Sequence, residues 1–245
     1  MPVRTDVAIA GLVPLSTVDW PGKLAAAVFL QGCPLACPYC QNQEIINPKT
    51  PGKIPWQDVE DFLSRRQGLL DGVVFSGGEP CRQGDGLLDA VKCVKDMSFN
   101  VGIHTCGAYP KTLSKVLKLL TKEDWVGIDI KAMPDSYMEA AGVSSGRKAW
   151  QSLQYVLDAD VSYEVRTTVY PGSPADVQFE RIVDCLSEKG VTRFALQEAR
   201  TEGTTAQFKK EADNWNIGSW RGRLQDMKEY AQDKFDVFIE RIHSL

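Results

Sequence analysis

Short apolar, β-branched runs alternate with segments of helical spacing along most of this chain, and that alternation restricts the folds open to it more than any other feature. The runs are Leu24 to Leu30, Gly72 to Phe75, Val101 to His104, Val126 to Ile130, Tyr163 to Val169 and Phe194 to Gln197. Between them apolar residues recur at helical spacing: Val59, Phe62 and Leu63; Leu87, Val91 and Val94; Leu113, Val116, Leu117 and Leu120; Leu153, Val156 and Leu157; Phe179, Ile182, Val183 and Leu186. Pro110 and Pro174 suit first helical turns, where no amide hydrogen bond is lost, and Gly190 suits a left-handed helix end. Strand and helix in alternation imply an α/β fold with a parallel sheet and right-handed crossovers. Six such units predict a partial, open (β/α)6 barrel, whose open side leaves room for a large substrate.

With 245 residues, 43 % of them hydrophobic, the chain can bury one substantial core. The expected layout is a barrel with an N-terminal hairpin over residues 1–203, followed by an extension over 204–245 packed on the same domain. Val7 to Leu15 reads as a strand rather than a signal peptide, because Asp6 precedes it, Pro14 interrupts it and no small-residue cleavage pattern follows. Beyond Gly203 a polar stretch leads into a helical pattern at Leu224, Met227 and Ala231, and Phe235 to Ile239 reads as a last short strand.

A formal net charge of −4 supplies no basic excess for gripping phosphate backbones, so nucleic acid is not an expected partner. No apolar run approaches the roughly 20 residues that span a bilayer, so no membrane partner is expected either. Seven cysteines is an odd number, and three of them fall within eight residues. That pattern suits a metal in a reducing compartment better than a disulfide framework, and the chain reads as cytoplasmic.

Those three cysteines, Cys33, Cys37 and Cys40, stand in Gln31-Gly32-Cys33-Pro34-Leu35-Ala36-Cys37-Pro38-Tyr39-Cys40, directly after the first strand of the series. The loop therefore lies at that strand's C-terminal end, where parallel barrels place their chemistry. A cubane cluster normally takes four thiolates, and a loop that supplies three leaves one iron open. An open iron can be chelated by the amino and carboxylate groups of a methionine moiety. A structural zinc site is the alternative, and it needs a fourth donor from distant chain: His104, His243, or a cysteine at 81, 93, 106 or 185. Inert packing of all three thiols is the blander option.

The spacing C-x3-C-x2-C, with an aromatic residue before the last cysteine, resembles the signature of the radical S-adenosylmethionine superfamily. Ser76-Gly77-Gly78-Glu79-Pro80, at the end of the next strand, resembles that superfamily's GGEP motif. Together they imply a [4Fe-4S] cluster on Cys33, Cys37 and Cys40 and an S-adenosylmethionine cofactor whose amino group meets the segment of Gly77, Gly78 and Glu79. Without the resemblance, two adjacent glycines read as an ordinary turn. Asp129-Ile130-Lys131 is similar to the D-x-K of glycyl-radical enzyme activating enzymes, which contacts the nucleoside and carboxylate ends of the cofactor; taken alone it reads as a solvated pair. Arg166 resembles a carboxylate- or ribose-contacting residue and Tyr39 an aromatic beside the adenine, although an ion pair with Glu164 and a core ring are the plain alternatives. His104-Thr105-Cys106-Gly107 stands where many relatives carry Asp-Thr-Asn-Gly, which makes His104 and Thr105 candidate cofactor contacts and puts the aspartate's role in doubt. Cys81 and Cys106 are expected near the site, chiefly as packing.

Val13-Pro14-Leu15-Ser16 and Asp19-Trp20-Pro21-Gly22-Lys23 resemble the N-terminal hairpin of anaerobic ribonucleotide reductase activating proteins, and Cys40-Gln41-Asn42 their C-x-N continuation. Between Cys40 and Ser76 there are 35 residues and no cysteine, so a single-cluster layout is implied. The resemblance implies reductive cleavage of S-adenosylmethionine to a 5′-deoxyadenosyl radical, which takes a hydrogen from a glycine of a partner glycyl-radical enzyme, here expected to be anaerobic ribonucleotide reductase. A low-potential electron donor such as flavodoxin or ferredoxin is implied with it. The other readings are a radical enzyme acting on a peptide or small molecule, and an iron–sulfur electron-transfer module without catalysis.

Overall fold

Each apolar run becomes a strand in the computed structural model, which describes residues 5–242; His243 lies outside them. The strands are β1 (Ile9–Ser16), β2 (Ala25–Leu30), β3 (Gly72–Gly77), β4 (Asn100–Thr105), β5 (Trp125–Asp129), β6 (Ser162–Val169), β7 (Arg193–Glu198) and β8 (Val237–Arg241). They hydrogen-bond in chain order as one eight-stranded sheet, with β1 antiparallel to β2 and every later neighbour parallel. β1 and β8 are its two edges, so the barrel is open and partial. The parallel series runs one strand beyond six, because the last run is used as β8. That strand starts two residues later than its apolar pattern suggested, which brings Arg241 to its end.

The helices are α1 (Trp56–Ser64), α2 (Asp85–Asp96), α3 (Pro110–Leu117), α4 (Tyr137–Ala141), α5 (Gly146–Leu157), α6 (Pro174–Val177), α7 (Phe179–Glu188), α8 (Ala206–Ala212) and α9 (Ile217–Ala231). Pro110 and Pro174 each open a helix, the second under a Ser173 cap that accepts from the Asp176 amide. Buried residues such as Val59 and Leu63, Leu87 and Val91, Leu113 and Val116, Leu153 and Val156, and Ile182 and Leu186 form the helical half of one continuous core, against the strand residues that point out of the barrel. α3 stops at Leu117, short of Leu120. In the extension, α9 buries Trp220, Leu224, Met227 and Ala231 in that same core. Helix α8 carries too few apolar residues to show a period and was missed by pattern.

Two features fill the barrel's interior. The turn between β1 and β2 folds its tip inward, where Trp20 stacks on Trp125 with ring centroids 6.3 Å apart. Gly72 and Gly102 on β3 and β4 leave the space: a Cβ would stand 2.8 Å and 3.1 Å from the Trp20 ring. On the opposite side Glu164, fully buried on β6, accepts from Arg166 at 2.8 Å and from Arg241 of β8 at 2.8 and 3.1 Å, with Arg193 of β7 at 3.5 Å. Small Ala195, which pairs with Arg166 on one side and Ile239 on the other, lies between the strands that Arg241 crosses. The pair Glu164 and Arg166 is thus interior rather than a surface bridge.

Candidate active site

At the C-terminal ends of the strands a cavity of about 380 Å³ is lined by Cys33, Cys37, Tyr39, Cys40, Gly77, Gly78, His104, Thr105, Asp129, Lys131 and Arg166. Every candidate from sequence reaches it except Glu79. The parallel register explains the convergence, since Leu30 pairs with Gly77, Thr105 with Ile128 and Asp129 with Arg166, so successive strand ends fall side by side.

The cysteine loop is held by backbone. Gly32 and Cys33 donate to the carbonyls of Ile45 and Ile46 at 2.8 and 2.9 Å, Ala36 donates to Ala141 at 2.8 Å, and Cys40 donates back to Cys37 at 3.1 Å. Gly78 donates to Leu30 and Glu79 to Gly32, both at 2.9 Å, which lashes the double glycine to the foot of the loop. That approach leaves no room for a side chain: a Cβ on Gly78 would sit 2.3 Å from the Gly32 carbonyl oxygen. Gly77 has φ +107 and would put a Cβ 2.5 Å from the Leu30 nitrogen.

The side chain of Glu79, in the segment expected to meet the cofactor, stands behind the cavity wall. Its carboxylate is fully buried and accepts from the Cys81 amide at 2.9 Å, the Thr105 hydroxyl at 2.8 Å and the Cys106 amide at 2.7 Å. Three donors on two strand ends occupy it, so it braces the GGEP-like turn against the end of β4. Cys81 is buried beside Thr105 and packs; Cys106 reaches the cavity wall and packs with Cys33.

Electrostatics favour a charged lysine among thiols. Burial alone would lower the Lys131 pKa, but Tyr39, Asp129 and Cys37 outweigh it and hold the value well above the ordinary one. Its Nζ lies 3.2 Å from Asp129 and 3.3 Å from the Tyr39 hydroxyl. Burial pushes the Cys37 and Cys40 thiols up, whereas the neighbouring Cys106 thiol draws Cys33 down. His104 falls to about 4, because it is buried and faces the Arg166 guanidinium, so its ring is neutral at ordinary pH.

Sequence reasoning missed part of the wall: Gln41, Asn42, Thr168, Gln197, Glu198, Arg200 and Arg241 also line the cavity. It also missed what supports Tyr39. Tyr39 packs on Tyr170 at 5.8 Å, Tyr170 stacks on Trp215 at 6.0 Å and meets Phe208 edge-on at 5.1 Å, which carries the extension onto the cysteine loop. Strand pattern marks Tyr170 only as the start of a turn; the other two carry no local signal.

The donor set fits a cluster. Three thiols on one short loop, lining a cavity together with the bare backbone of Gly77 and Gly78, are the donor type that an iron–sulfur cluster takes. Comparison with known proteins agrees with this arrangement, for residues 27–186 match the model of the Radical SAM superfamily. The chain belongs to that superfamily. It is 30 % identical over 209 residues to a Methanocaldococcus jannaschii protein named as a candidate glycyl-radical enzyme activating enzyme, covering 82 % of this chain and 84 % of that one. It is 29 % identical over 167 residues to the pyruvate formate-lyase-activating enzyme of Clostridium pasteurianum, covering 66 % of this chain and 68 % of that one. Among solved structures, Streptococcus suis SuiB bound to its precursor peptide SuiA superposes with TM-score 0.65 at 17 % identity, over 87 % of this chain and 47 % of SuiB. A spore photoproduct lyase superposes with TM-score 0.60 at 12 % identity, over 87 % of this chain and 75 % of that one. This chain spans about half the length of SuiB, and both likenesses speak to the fold alone.

Proposed function

We propose that this chain binds a [4Fe-4S] cluster on Cys33, Cys37 and Cys40, cleaves S-adenosylmethionine reductively, and takes a hydrogen atom from a glycine of a partner glycyl-radical enzyme. The observation that carries the reading is the convergence of three thiols, the bare backbone of Gly77 and Gly78 and the Asp129–Lys131 pair on one cavity. Cys33, Cys37 and Cys40 would hold the cluster, which would pass one electron from an external donor to the sulfonium of S-adenosylmethionine; cleavage and hydrogen transfer together would yield methionine, 5′-deoxyadenosine and a glycyl radical on the partner.

The protein's own residues orient and enclose. Gly77 and Gly78 present carbonyl oxygens that can accept from an amino group at close range. Lys131, kept charged by its neighbours, offers a counter-charge to a carboxylate, and Asp129 beside it offers an acceptor to ribose hydroxyls. Tyr39, braced from the extension, offers a ring face to the adenine. Arg166 closes the far side. The electron comes from a low-potential donor, flavodoxin or ferredoxin, because reductive cleavage of a sulfonium consumes one electron per turnover.

The partner proposed is anaerobic ribonucleotide reductase, on the likeness of the N-terminal hairpin; the relatives named for pyruvate formate-lyase make that enzyme the comparison arm. The test is anaerobic reconstitution with S-adenosylmethionine and a reductant, with each purified glycyl-radical enzyme added in turn. The expected result is a glycyl doublet in electron paramagnetic resonance with the reductase and 5′-deoxyadenosine in matching amount. Cleavage with no glycyl signal from either enzyme removes the activase reading, and a signal with pyruvate formate-lyase alone changes the partner. No helix among the described residues is long and apolar enough to cross a membrane.

A further inference from the structure

The Asp19-Trp20-Pro21 turn has no part in the chemistry described above, yet its backbone reaches the cavity's back wall through one side chain. The Asp19 carbonyl accepts from His104 Nε2 at 2.7 Å. A carbonyl can only accept, so this bond puts the ring's proton on Nε2 and leaves Nδ1 as an acceptor. Arg166 Nη1 lies 3.5 Å from that Nδ1 and the Ser76 hydroxyl 3.4 Å from it, and both can donate. The guanidinium is fixed from two more directions, by Glu164 at 2.8 Å and by the face of Trp125 at 4.8 Å. Trp125 in turn stacks on Trp20 of the same turn and meets the His104 ring edge-on at 5.2 Å. Gly127 on β5 makes the passage possible, since a Cβ there would stand 2.9 Å from the guanidinium carbon.

We infer that His104 is a positioning residue: it relays the β1–β2 turn to Arg166, so that the N-terminal hairpin sets the direction in which that guanidinium faces S-adenosylmethionine. The inference rests on the reading that the cavity holds this cofactor. His104 is a neutral acceptor, which orients the arginine without taking up its charge. Arg166 then keeps, beyond its pairing with Glu164, the donors that a carboxylate or ribose oxygen can use.

A double-mutant cycle on anaerobically reconstituted protein tests this, with cluster content matched and S-adenosylmethionine binding measured by calorimetry. R166A and H104A are each expected to weaken binding about tenfold, the scale of one lost hydrogen bond to a charged group. On the R166A background, H104A is expected to change affinity less than about twofold, because its effect passes through the missing guanidinium. H104Q, which keeps an N–H for the Asp19 carbonyl and an oxygen for Arg166, is expected to bind within about threefold of the parent while H104L does not. Additive losses would mean that His104 touches the cofactor itself, and equal binding by H104L and H104Q would mean that it only fills space; either overturns the relay, as does R166A binding like the parent. Parent protein that takes up a cluster and binds no S-adenosylmethionine is a different failure, and it is the proposed function that falls.

Discussion

On the β2–β4 side the cavity wall is made of thiols, glycine backbone and uncharged side chains, whereas on the β6–β8 side long charged side chains cross the barrel interior to reach it. The first side is fixed by main-chain bonds at 2.8 to 3.1 Å between the cysteine loop, the double glycine and their neighbours. The second is fixed by Glu164 among three arginines. Main-chain contacts at van der Waals limits cannot yield, so the first side has one usable sequence at several positions. Ion pairs between flexible side chains can rearrange, so the second side is tunable, and its strength depends on pH and salt.

The sharpest break in that comparison is at the thiols. Replacing Cys33, Cys37 or Cys40 by alanine is expected to abolish the cluster signature in the visible spectrum and all 5′-deoxyadenosine formation. Retention of either by any of the three variants would remove that thiol from the ligand set. Gly78→Ala comes next. Its Cβ meets backbone at 2.3 Å, with no side chain to move aside, so the loop or the turn must shift. The expected cost is about 3 kcal/mol or more in urea unfolding, the range for severe steric insertion at a packed site. Gly11→Ala on β1, where a Cβ finds nothing within 4 Å, is the control and should change stability by less than about 0.5 kcal/mol.

The same division governs what could be read from sequence. Residues 33–40 and 76–80 were legible because their chemistry is contiguous: a loop supplies all three thiols, and a turn supplies both glycines. Six strands were legible by period and composition, and the structure moved their ends by only one or two residues. The place of the Glu79 carboxylate was not legible, because its partners Thr105 and Cys106 arrive 26 and 27 positions later, across a strand pairing that no local pattern announces. Arg241 was invisible for a related reason. A shift of two residues in β8 decides whether that side chain belongs to the strand at all, and only the β7–β8 register brings it to the barrel's interior. Trp20 reads as part of a turn, and its place beneath the cavity depends on side chains that Gly72 and Gly102 lack.

Glu164→Gln probes the charged side. Burial on its own would raise the Glu164 pKa, but the bonds from Arg241 and Arg166 prevail and hold it below the ordinary carboxylate value. A depressed folded-state value means that the carboxylate contributes stability above the ordinary range, near about pH 4.3, and loses it as pH falls through the folded value. At pH 7 the variant leaves three guanidiniums around a neutral amide, and the expected loss is about 2 to 4 kcal/mol. Parent and variant curves should converge as the solution is acidified below that window. Parallel curves, with the same difference at pH 7 and at pH 3, would show that Glu164 acts by shape and not by charge.

The smallest effect is expected outside the cavity wall, where α9 is pinned to α6 and α7 by Arg223. Its guanidinium donates to Asp176 at 2.9 Å and to Glu180 at 2.6 and 3.3 Å, with a further bond to the Asp176 carbonyl at 2.8 Å. The network is partly open to solvent, so water and salt take most of its Coulomb energy, and Arg223→Ala should cost about 1 kcal/mol. If the extension holds its place through the buried Trp220, Leu224 and Met227, S-adenosylmethionine affinity in this variant should be unchanged while 0.5 M salt erases the stability difference. A variant whose affinity falls together with its stability would show instead that the charged clamp on α9 is felt at the aromatic brace behind Tyr39, and that the two sides of the molecule are coupled through the extension.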